Sequence, residues 1–437
     1  MKKLLGKTLA GVLGIAAACS LGALFAGCSD EKGTHGDGPE VPGQKLYSDV
    51  APLTPLRGWT PNAAESSDIK ALNAFANRLN GKAVEDCTEL WGDEARGNYC
   101  ISPLSVAVYL GALAQGVDGQ AREDISRMLG VDAEGLASLN NSLLRYLTHE
   151  GNDGSEVAIA NSVWHTADVA VLDSYKERMA ALFGAPVNEL DLYSDSSVDV
   201  LNAWCGDKTH GVLDKIFQLP PRADVLIANA LYLSANWISP FSEGETTREK
   251  FRGTEGESEV DMMHKSLMNY GYASAGGCAG VLLSMQGGFE FVVVLPDEGT
   301  DVAAVGKSLG AVVERLDASM ASKRVNLSLP KFSGHSDAQI KELLATLGYP
   351  VYDLPAAGMT GNDAFAIRYS QTEIKHTTAL KVTESGVELA AVTAGNYGFG
   401  TPEPLEEVEM KVDRPFYYLV RESHTGIILM TGRVMNM

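Results

Sequence analysis

Apolar residues in the first third of the folded chain recur with a helical period. From Asp68 onward, Ile69, Leu72, Phe75 and Leu79 follow one another at intervals of three and four. That spacing lines up apolar side chains along one face of an α-helix. The pattern therefore predicts an amphipathic helix that packs on a core.

A second helix is predicted over Ser102–Gly116. Ser102 suits the N-cap, and Pro103 suits the first turn because the amide hydrogen that it lacks would be unpaired there. Gly116 suits the helix end. The segments LDSYKERMAALFG and VLNAWCGDKTHGVLDKIF predict further helices, the latter breaking at Gly211.

Beyond Glu156 the pattern changes to strands, several of which have no polar face and are typical of buried strands. The candidates are EVAIANSVWH, DVLIANALYLSANW, FEFVVVLPD, KRVNLSLPKF, TALKVTE, VEMKVDRPFYYLV and GIILMTGRV. The fold class is therefore α+β, with large, mostly antiparallel sheets covered by helices. Asp68–Met437 shows no compositional break, which favours one domain.

The composition and net charge of the chain disfavour some classes of binding partner. The chain has 437 residues, of which 45% are hydrophobic, and a formal net charge of −21. This charge argues against nucleic acid and anionic membranes as partners. The sequence contains no HExxH or P-loop motif, and its eight histidines lack ligand spacing. We therefore expect neither a hydrolase nor a metal or other cofactor.

The N-terminus has the pattern of an export signal. Three lysines precede the apolar run Leu9–Ala26, and small residues precede Cys28. The stretch resembles a bacterial lipoprotein signal, so residues 1–27 would be the signal peptide and Cys28 the lipidated residue. The alternative is an uncleaved membrane anchor. The acidic residues after Cys28 resemble a surface-export tag of some Gram-negative lipoproteins. The resemblance implies a cell-envelope protein, anchored by lipid in the outer membrane and displayed at the surface.

Residues 28–64 are rich in glycine, proline and aspartate in their first part, and we interpret them as a flexible tether. Residues 65–437 would then form the folded domain. Its cysteines are Cys87, Cys100, Cys205 and Cys278. Cys87 and Cys100 flank a short polar loop and could pair, or all four could be buried thiols. With no CxxC motif, a redox centre is not expected.

Five segments, in order along the chain, resemble the serpin family of protease inhibitors. They are NYCISPLSVAVYLGALAQGVDGQAREDISRMLG, IANALYLSANWISPF, VNLSLPKF, KVTESGVELAAVTA and DRPFYYLVRESHTGIILMTGRVMN. The resemblance implies a serpin-like fold with three β-sheets, about eight or nine helices and an exposed reactive-centre loop. It further implies a monomer and a metastable native state. A protease that cuts the loop would be trapped as a covalent acyl-enzyme when the loop inserts into the central sheet.

The resemblance identifies a loop hinge, which is made up of Glu384, Ser385, Gly386, Val387, Glu388, Leu389, Ala390 and Ala391. If Val387 faces inward, then Leu389, Ala391 and Thr393 share its face, and none of them is charged. Glu388 falls on the opposite face.

Two hinge residues depart from the family pattern. Val387 stands where the family usually has threonine, and Leu389 stands where inhibitory members usually have alanine. Because leucine needs more room between parted strands, the departures keep open a non-inhibitory serpin that acts as a surface binding protein. A cysteine protease inhibitor is the other alternative.

The resemblance also implies a gate below the central strands, the shutter. By motif position it comprises Ser102, Ser105, Asn229 and His376. A buried histidine needs hydrogen-bond partners, which serine and asparagine can supply. Trp237 would cap the top of the sheet, the breach, where insertion begins.

The family's usual spacing from Glu384 puts the cut bond between Gly400 and Thr401, with Tyr397 and Phe399 as neighbouring candidates. No lysine or arginine occurs between Val382 and Met410. A trypsin-like target is therefore disfavoured, and elastase-like or chymotrypsin-like serine proteases fit better. A papain-like cysteine protease would accept Phe399 two residues before the cut.

Overall fold

The computed structural model describes residues 47–148, 154–213, 215–371, 374–387 and 405–437, apart from the side chains of residues 94 and 335. All of these residues fall within one compact unit. Within these ranges, no helix combines the length and the apolarity needed to cross a bilayer. The predicted signal peptide, Cys28, the hinge residues from Glu388 to Ala391 and the candidate cut bonds lie outside the described residues.

Eleven helices occur in the described part of the chain, seven of them longer than six residues. They are α1 (Ala63–Glu85), α2 (Cys87–Trp91), α3 (Pro103–Ala114), α4 (Gly119–Leu129), α5 (Ala133–Leu147), α6 (Asp173–Phe183), α7 (Ser196–Lys208), α8 (Val302–Lys307), α9 (Leu309–Ser319), α10 (Lys341–Thr346) and α11 (Ala357–Thr360). The helix predicted over Ser102–Gly116 is confirmed as α3, and the Ser102 hydroxyl accepts the Ser105 amide hydrogen as its cap.

Strands dominate the rest of the chain, as the sequence pattern predicts. They are β1 (Tyr99–Ile101), β2 (Ser155–His165), β3 (Val187–Glu189), β4 (Val225–Asn236), β5 (Thr247–Gly253), β6 (Gly256–Ala275), β7 (Cys278–Ser284), β8 (Phe289–Pro296), β9 (Ala321–Pro330), β10 (Phe332–Gln339), β11 (Leu354–Pro355), β12 (Ala366–Ile367), β13 (Lys375–Val382), β14 (Gly386–Val387), β15 (Glu407–Lys411), β16 (Phe416–Glu422) and β17 (Ile428–Val434).

The central sheet has six strands in the order β10-β13-β14-β4-β2-β3. All of its pairings are antiparallel except that of β2 with β3. Strand β4 is buried along most of its length, because helix α3 packs on one side of it and α7 on the other. The prediction of a sheet-centre strand for this segment is confirmed.

The second sheet has nine strands, which strand β6 divides into two sections. The register of β6 against β9 shifts between Lys265 and Met268, and Leu267 there adopts a φ of 52°. Strands β5 and β15 lie in one section, and β7, β8, β16, β17 and β1 form the other. With the central sheet, these two sections make up the three sheets that the sequence predicts.

Helix α3 lies between the two large sheets, since it contacts β4 of the first and β17 of the second. Eleven of its twelve residues are buried. A helix that is apolar all round can be accommodated only where every face is covered. The larger of two hydrophobic clusters among the described residues therefore forms around α3 and the facing sides of both sheets, and a smaller one lies between α7 and the other side of the central sheet.

The N-terminal boundary of the domain differs from the sequence prediction. The residues from Tyr47 on, which we expected to be tether, pack on the domain as an N-terminal segment (residues 47–61). The Ser48 amide and hydroxyl both donate to Asn188 Oδ1, at 2.8 and 2.6 Å. Lys208 Nζ lies 3.2 Å from an Asp49 carboxylate oxygen. Composition alone did not predict this packing, because the few side chains that make contacts stand among residues typical of flexible linkers.

The segment continues across helix α5. Arg145 Nε donates to the Thr54 carbonyl at 2.8 Å, and the rings of Trp59 and Tyr146 lie 5.4 Å apart. Helix α1 then begins after its N-cap residue, Asn62. The Asn62 side chain accepts the Glu65 amide hydrogen, and the Glu65 carboxylate accepts the Asn62 amide hydrogen.

The four cysteines of the domain are all buried and unbridged. Of the two alternatives left open by the sequence, the buried thiols are therefore the one found. Burial raises the pKa of the Cys100 thiol to about 11, so this thiol is unreactive at neutral pH.

Candidate functional site

The first residues of the hinge form a short strand inside the central sheet. In β14, Gly386 pairs with Asn236, and Val387 lies between Ala235 of β4 and Val382 of β13. Among the described residues no register joins β13 directly to β4. The two central strands are therefore parted at this end by the start of the loop.

Side-chain size explains which residues occupy β14. A Cβ at Gly386 would lie 2.3 Å from the carbonyl oxygen of Ala235, so a larger residue would clash with the backbone of β4. Val387 is only 1% exposed and faces the core. The inward orientation assumed for Val387 in the sequence argument is the one seen.

Trp237 holds the hinge at the end of β4. Its indole Nε1 donates to the Thr383 carbonyl, and its backbone amide donates to the Ser385 carbonyl, both at 2.9 Å. The Phe241 amide donates to the Glu384 carbonyl at 2.9 Å. The Trp237 ring itself is buried edge-on against Phe291, with centroids 5.6 Å apart. The residue predicted for the breach thus contacts the hinge directly.

Glu384 is anchored as firmly by its side chain as by its backbone. Its carboxylate accepts hydrogen bonds from Lys331 Nζ and Thr246 Oγ1, each at 2.9 Å. Burial alone would raise the pKa of Glu384, but the hydrogen bonds from Lys331 and Thr246 hold it below its ordinary value. The hinge therefore carries a negative charge that Lys331 neutralises and that the Thr246 hydroxyl holds in place by a hydrogen bond.

Three of the four predicted shutter residues meet in one cluster. The Ser102 backbone amide donates to His376 Nε2 at 3.0 Å, and the Ser102 hydroxyl donates to the Leu429 carbonyl oxygen at 2.8 Å. The Ser105 Oγ lies 3.0 Å from Ser102 Oγ. Because Nε2 accepts a hydrogen bond, the His376 imidazole is neutral. Burial lowers the pKa of His376 to about 4, partly offset by the nearby Asp337 carboxylate.

Asn229, the fourth, lies apart from that hydrogen-bonded cluster. Its Nδ2 donates to Asn161 Oδ1 at 2.7 Å, across the β2–β4 pairing. Its Oδ1 is buried and has no hydrogen-bond partner among the described residues. A cavity of about 50 Å³ is lined by Asn229 and His376, from β4 and β13 respectively, and by Ser105. Three of the four shutter residues thus line a small space, and one acceptor among them has no donor in the described part of the chain.

The loop connects the two large sheets. The chain leaves the central sheet at Val387 and enters the second sheet at β15, which runs parallel to β9. Ion pairs fasten β15 there: Lys411 Nζ lies 2.7 Å from a Glu249 carboxylate oxygen, and Arg324 pairs with Glu407 at 3.0 Å. Both ends of the loop are therefore attached to rigid structure.

Several residues of this site were not predicted from the sequence. Lys331 and Phe241 stood in segments quoted for the family resemblance, but nothing in the sequence connected either of them to Glu384. Thr246 and Asn161 carried no signal at all. These contacts join residues 53 to 143 positions apart, and no local pattern reports on such separations.

The first residues of a loop thus lie between β13 and β4, the two central strands of the six-stranded sheet. The family model described as Serpin (serine protease inhibitor) matches residues 71–437. The chain belongs to the serpin family. Serpins are generally protease inhibitors rather than catalysts.

Relatives from distant organisms cover most of the chain. Iripin-3 of Ixodes ricinus is 27% identical over 352 residues, which make up 77% of this chain and 88% of the relative. Serpin-Z2A of Triticum aestivum is 25% identical, covering 79% and 91%. The crystal structure of the thermophilic serpin Tengpin in the native state superposes with a TM-score of 0.74 at 22% identity, covering 90% of this chain and all of that one. The fold class predicted from the sequence is therefore confirmed.

Proposed function

We propose that this protein is a suicide-substrate inhibitor of serine proteases with elastase-like or chymotrypsin-like specificity. The observation that carries the proposal is β14: the start of the loop already occupies the place where a further strand would form. Cleavage beyond it would free residues 388–400 to continue that strand. The trapped species would be the covalent acyl-enzyme.

The register of β14 indicates what each inserting residue would meet. Val387 lies opposite Val382 and Ala235. Continuing this register down both neighbours brings Leu389 between Leu380 and Leu233, and Ala391 between Thr378 and Leu231. All four neighbours lie on the core-facing side. Glu388 comes between Ser234 and Lys381 on the other side, next to a cation that complements it.

Two positions further, the same register brings Thr393 between His376 and Asn229. Residues directly opposite on one sheet face have Cβ atoms about 5 Å apart. The Thr393 hydroxyl would therefore reach Asn229 Oδ1, which has no donor among the described residues. A buried unpaired acceptor costs about 1–3 kcal/mol, which insertion would recover. This unpaired acceptor supports the proposed register of insertion.

The energy and the distance are sufficient to disable a protease. About ten new backbone hydrogen bonds at about 1 kcal/mol each supply on the order of 10 kcal/mol. Thirteen residues at about 3.3 Å per residue would carry the attached protease about 40 Å. A displacement of its catalytic groups by about 1 Å already costs roughly a hundredfold in rate. Hydrolysis of the acyl-enzyme would then be too slow to release the protease.

A residue swap tests this proposal without changing composition. Glu388→Leu with Leu389→Glu exchanges the two faces of the strand and places a carboxylate between Leu233 and Leu380. We expect the wild type to form an SDS-stable adduct with elastase or chymotrypsin. The swapped variant should still be cut but form no adduct. The control, Glu388→Gln, alters only the outward face and should retain the adduct.

The outcomes separate the alternatives that the sequence left open. Adducts with papain only would move the target to cysteine proteases. Cleavage of the wild type by elastase, chymotrypsin, subtilisin and papain without any adduct would refute trapping and leave a non-inhibitory binding protein. Mass spectrometry of the released C-terminal peptide would identify the cut bond among Gly400–Thr401, Tyr397 and Phe399.

We further propose that Cys28 carries the lipid that anchors the protein in the outer membrane and at the cell surface, as the lipoprotein-like signal suggests. Metabolic labelling with a clickable palmitate analogue tests this directly. Label should appear on the wild type and be lost in Cys28→Ser. Retention of label in the variant would refute the assignment.

A further inference from the structure

A row of polar side chains crosses one face of the second sheet, outside the hinge and the shutter. Ser328 of β9 lies directly opposite His264 of β6 on one side and Lys411 of β15 on the other. Its neighbours Leu327 and Leu329 are buried, so the alternation of β9 turns Ser328 to the face away from the core. Ser328 and His264 are both half-buried, so solvent reaches them from one side.

The row forms a hydrogen-bonded chain that runs from a hydroxyl through an imidazole to a carboxylate. Ser328 Oγ lies 3.0 Å from His264 Nδ1, and His264 Nε2 lies 2.9 Å from a Glu249 carboxylate oxygen. The Thr247 hydroxyl donates to the same oxygen at 3.0 Å and lies 3.0 Å from His264 Nε2. Lys411 Nζ lies 2.7 Å from the other carboxylate oxygen.

The carboxylate decides which imidazole nitrogen carries the hydrogen in the neutral ring. The hydrogen bond from Lys411 holds the pKa of Glu249 below its ordinary value, so at neutral pH this group is ionised and only accepts. His264 Nε2 therefore carries the hydrogen, and the lone pair of Nδ1 faces the Ser328 hydroxyl. By role, this is the arrangement of a nucleophile, a general base and the acid that orients the base, with Nδ1 rather than Nε2 next to the serine.

We propose that Ser328 is an activated nucleophile that accepts the acyl group of small aryl esters. Its Oγ would attack the ester carbonyl carbon while its proton passes to His264 Nδ1. The bond from that carbon to the aryl oxygen would then break, and the phenol would leave with the proton that His264 releases. Lys411 adds positive charge beside the serine, where the oxyanion forms. The products are an acyl-serine and a phenol.

The chemistry of the row determines the class of substrate. A positioned general base contributes about 10²–10⁴-fold to the rate of such a step. An aryl oxide leaves readily, so activation of the attacking hydroxyl is the main requirement. A peptide nitrogen leaves only when it is protonated and when the oxyanion is strongly stabilised. We therefore expect aryl esters to react and peptides not to, and this inference does not rest on the proposed trapping of proteases.

Incubation of the intact protein with p-nitrophenyl acetate tests the proposal. In the tryptic peptide Val325–Lys331, Ser328 is the only residue with a hydroxyl group, so mass spectrometry can assign an acetyl group to it. We expect Ser328 to be acetylated at least tenfold faster than Ser322, an exposed serine of the same strand for which the structure describes no histidine partner. Ser328→Ala should remove most of the initial burst of p-nitrophenolate, whereas the matched control Ser322→Ala should leave the burst unchanged.

Rescue by imidazole separates the chemical role of the histidine from a structural one. His264→Ala should slow acetylation of Ser328 at least tenfold, and added imidazole should restore part of the rate because a free base can take the proton. Glu249→Gln should slow acetylation severalfold, since Glu249 is a positioning residue for the imidazole. When both substitutions are combined, imidazole should restore the same rate as in His264→Ala alone, because free imidazole does not need Glu249.

Three results would overturn the proposal. Acetylation of Ser328 no faster than that of Ser322 would show an ordinary hydroxyl, and this comparison needs only the wild-type protein. Acetylation that His264→Ala leaves unchanged would show that the imidazole is not the base. A loss of rate that imidazole fails to restore would assign the effect to disturbed packing.

Discussion

The indole nitrogen of Trp237 donates a hydrogen bond to the carbonyl oxygen of Thr383, at 2.9 Å, just before the hinge. This contact joins the residues that directly follow β4 and β13 in the intact protein. It holds the two central strands in place at the point where a third strand begins between them.

Removal of that hydrogen bond should destabilise the intact protein. Trp237→Phe keeps most of the ring but leaves the Thr383 carbonyl unpaired, at a cost of about 1–3 kcal/mol. We expect a lower urea midpoint for the intact form. Trp164→Phe serves as the control, because Trp164 is also buried in this sheet but its Nε1 has no partner among the described residues. An equal loss in both variants would assign the effect to packing alone.

Asn229 Oδ1 has no donor among the described residues, and this allows a prediction about the stability of the cleaved protein. Thr393→Val removes the hydroxyl while keeping the shape, so it should leave the intact protein unchanged. The cleaved form should lose about 1–3 kcal/mol of stability, since Asn229 Oδ1 stays without a donor. Thermal unfolding before and after cleavage measures both. An undiminished gain in melting temperature on cleavage would contradict the proposed register.

Leu389 should slow insertion. The register brings it between Leu233 and Leu380, which are both buried. Leu389→Ala needs less space between them, so we expect fewer inhibitor molecules to be cut for each protease trapped. Leu219→Ala is the control, since Leu219 is 76% exposed. An unchanged or higher stoichiometry of inhibition in Leu389→Ala would show that bulk at this position is not limiting.

Because the buried His376 is neutral in the folded protein, the free energy of unfolding should depend on pH. Its pKa is about 4 in the folded protein, below the value of about 6.5 in the unfolded chain. The unfolded chain therefore takes up a proton first as the pH falls. Stability should decline between about pH 6.5 and pH 4, by up to about 3 kcal/mol from this group.

Urea unfolding of the intact protein at several pH values measures this slope. His376→Gln can still accept the Ser102 amide hydrogen but does not titrate, so its slope should be shallower in that window. Identical slopes for wild type and variant would mean that the source is another group.

The N-terminal segment should stabilise the intact state. Residues 47–61 contact β3, α7 and α5 through Ser48, Asp49 and Thr54. Helix α7 covers the outer side of β4. An inserting strand would lie next to β4 and so beneath α7. Removal of the segment should therefore release α7 and make insertion easier. A protein that starts at residue 62 should lose inhibitory activity faster at 37 °C.

A milder variant separates the segment's role from a general loss of folding. Ser48→Ala with Asp49→Asn removes the hydroxyl contact to Asn188 and the charge that pairs with Lys208, and it keeps the chain length and the Ser48 amide contact. We expect a smaller shift in the same direction. Activity that decays at the wild-type rate in both proteins would show that the segment is passive.

Local pattern was enough to determine the main elements and the class of fold. Examples are the caps of α3, the apolar run of β4 and the alternation along the hinge. Each depends only on residues that are neighbours in the chain, so it can be predicted from the sequence. The absence of inward-facing charge after Val387 is likewise a property of the amino-acid order alone. Such patterns report on burial, because each side chain's face depends only on its own strand or helix.

Tertiary structure alone decided which distant residues meet. It joined Lys331 and Thr246 to Glu384, separated Asn229 from the Ser102–His376 cluster, and packed the supposed tether on α7. It also aligned the registers of β13, β14 and β4, from which the partners of Leu389 and Thr393 follow. Each of these contacts closes a long chain segment, which costs conformational entropy. The contacts therefore stabilise the protein only once the whole core has formed.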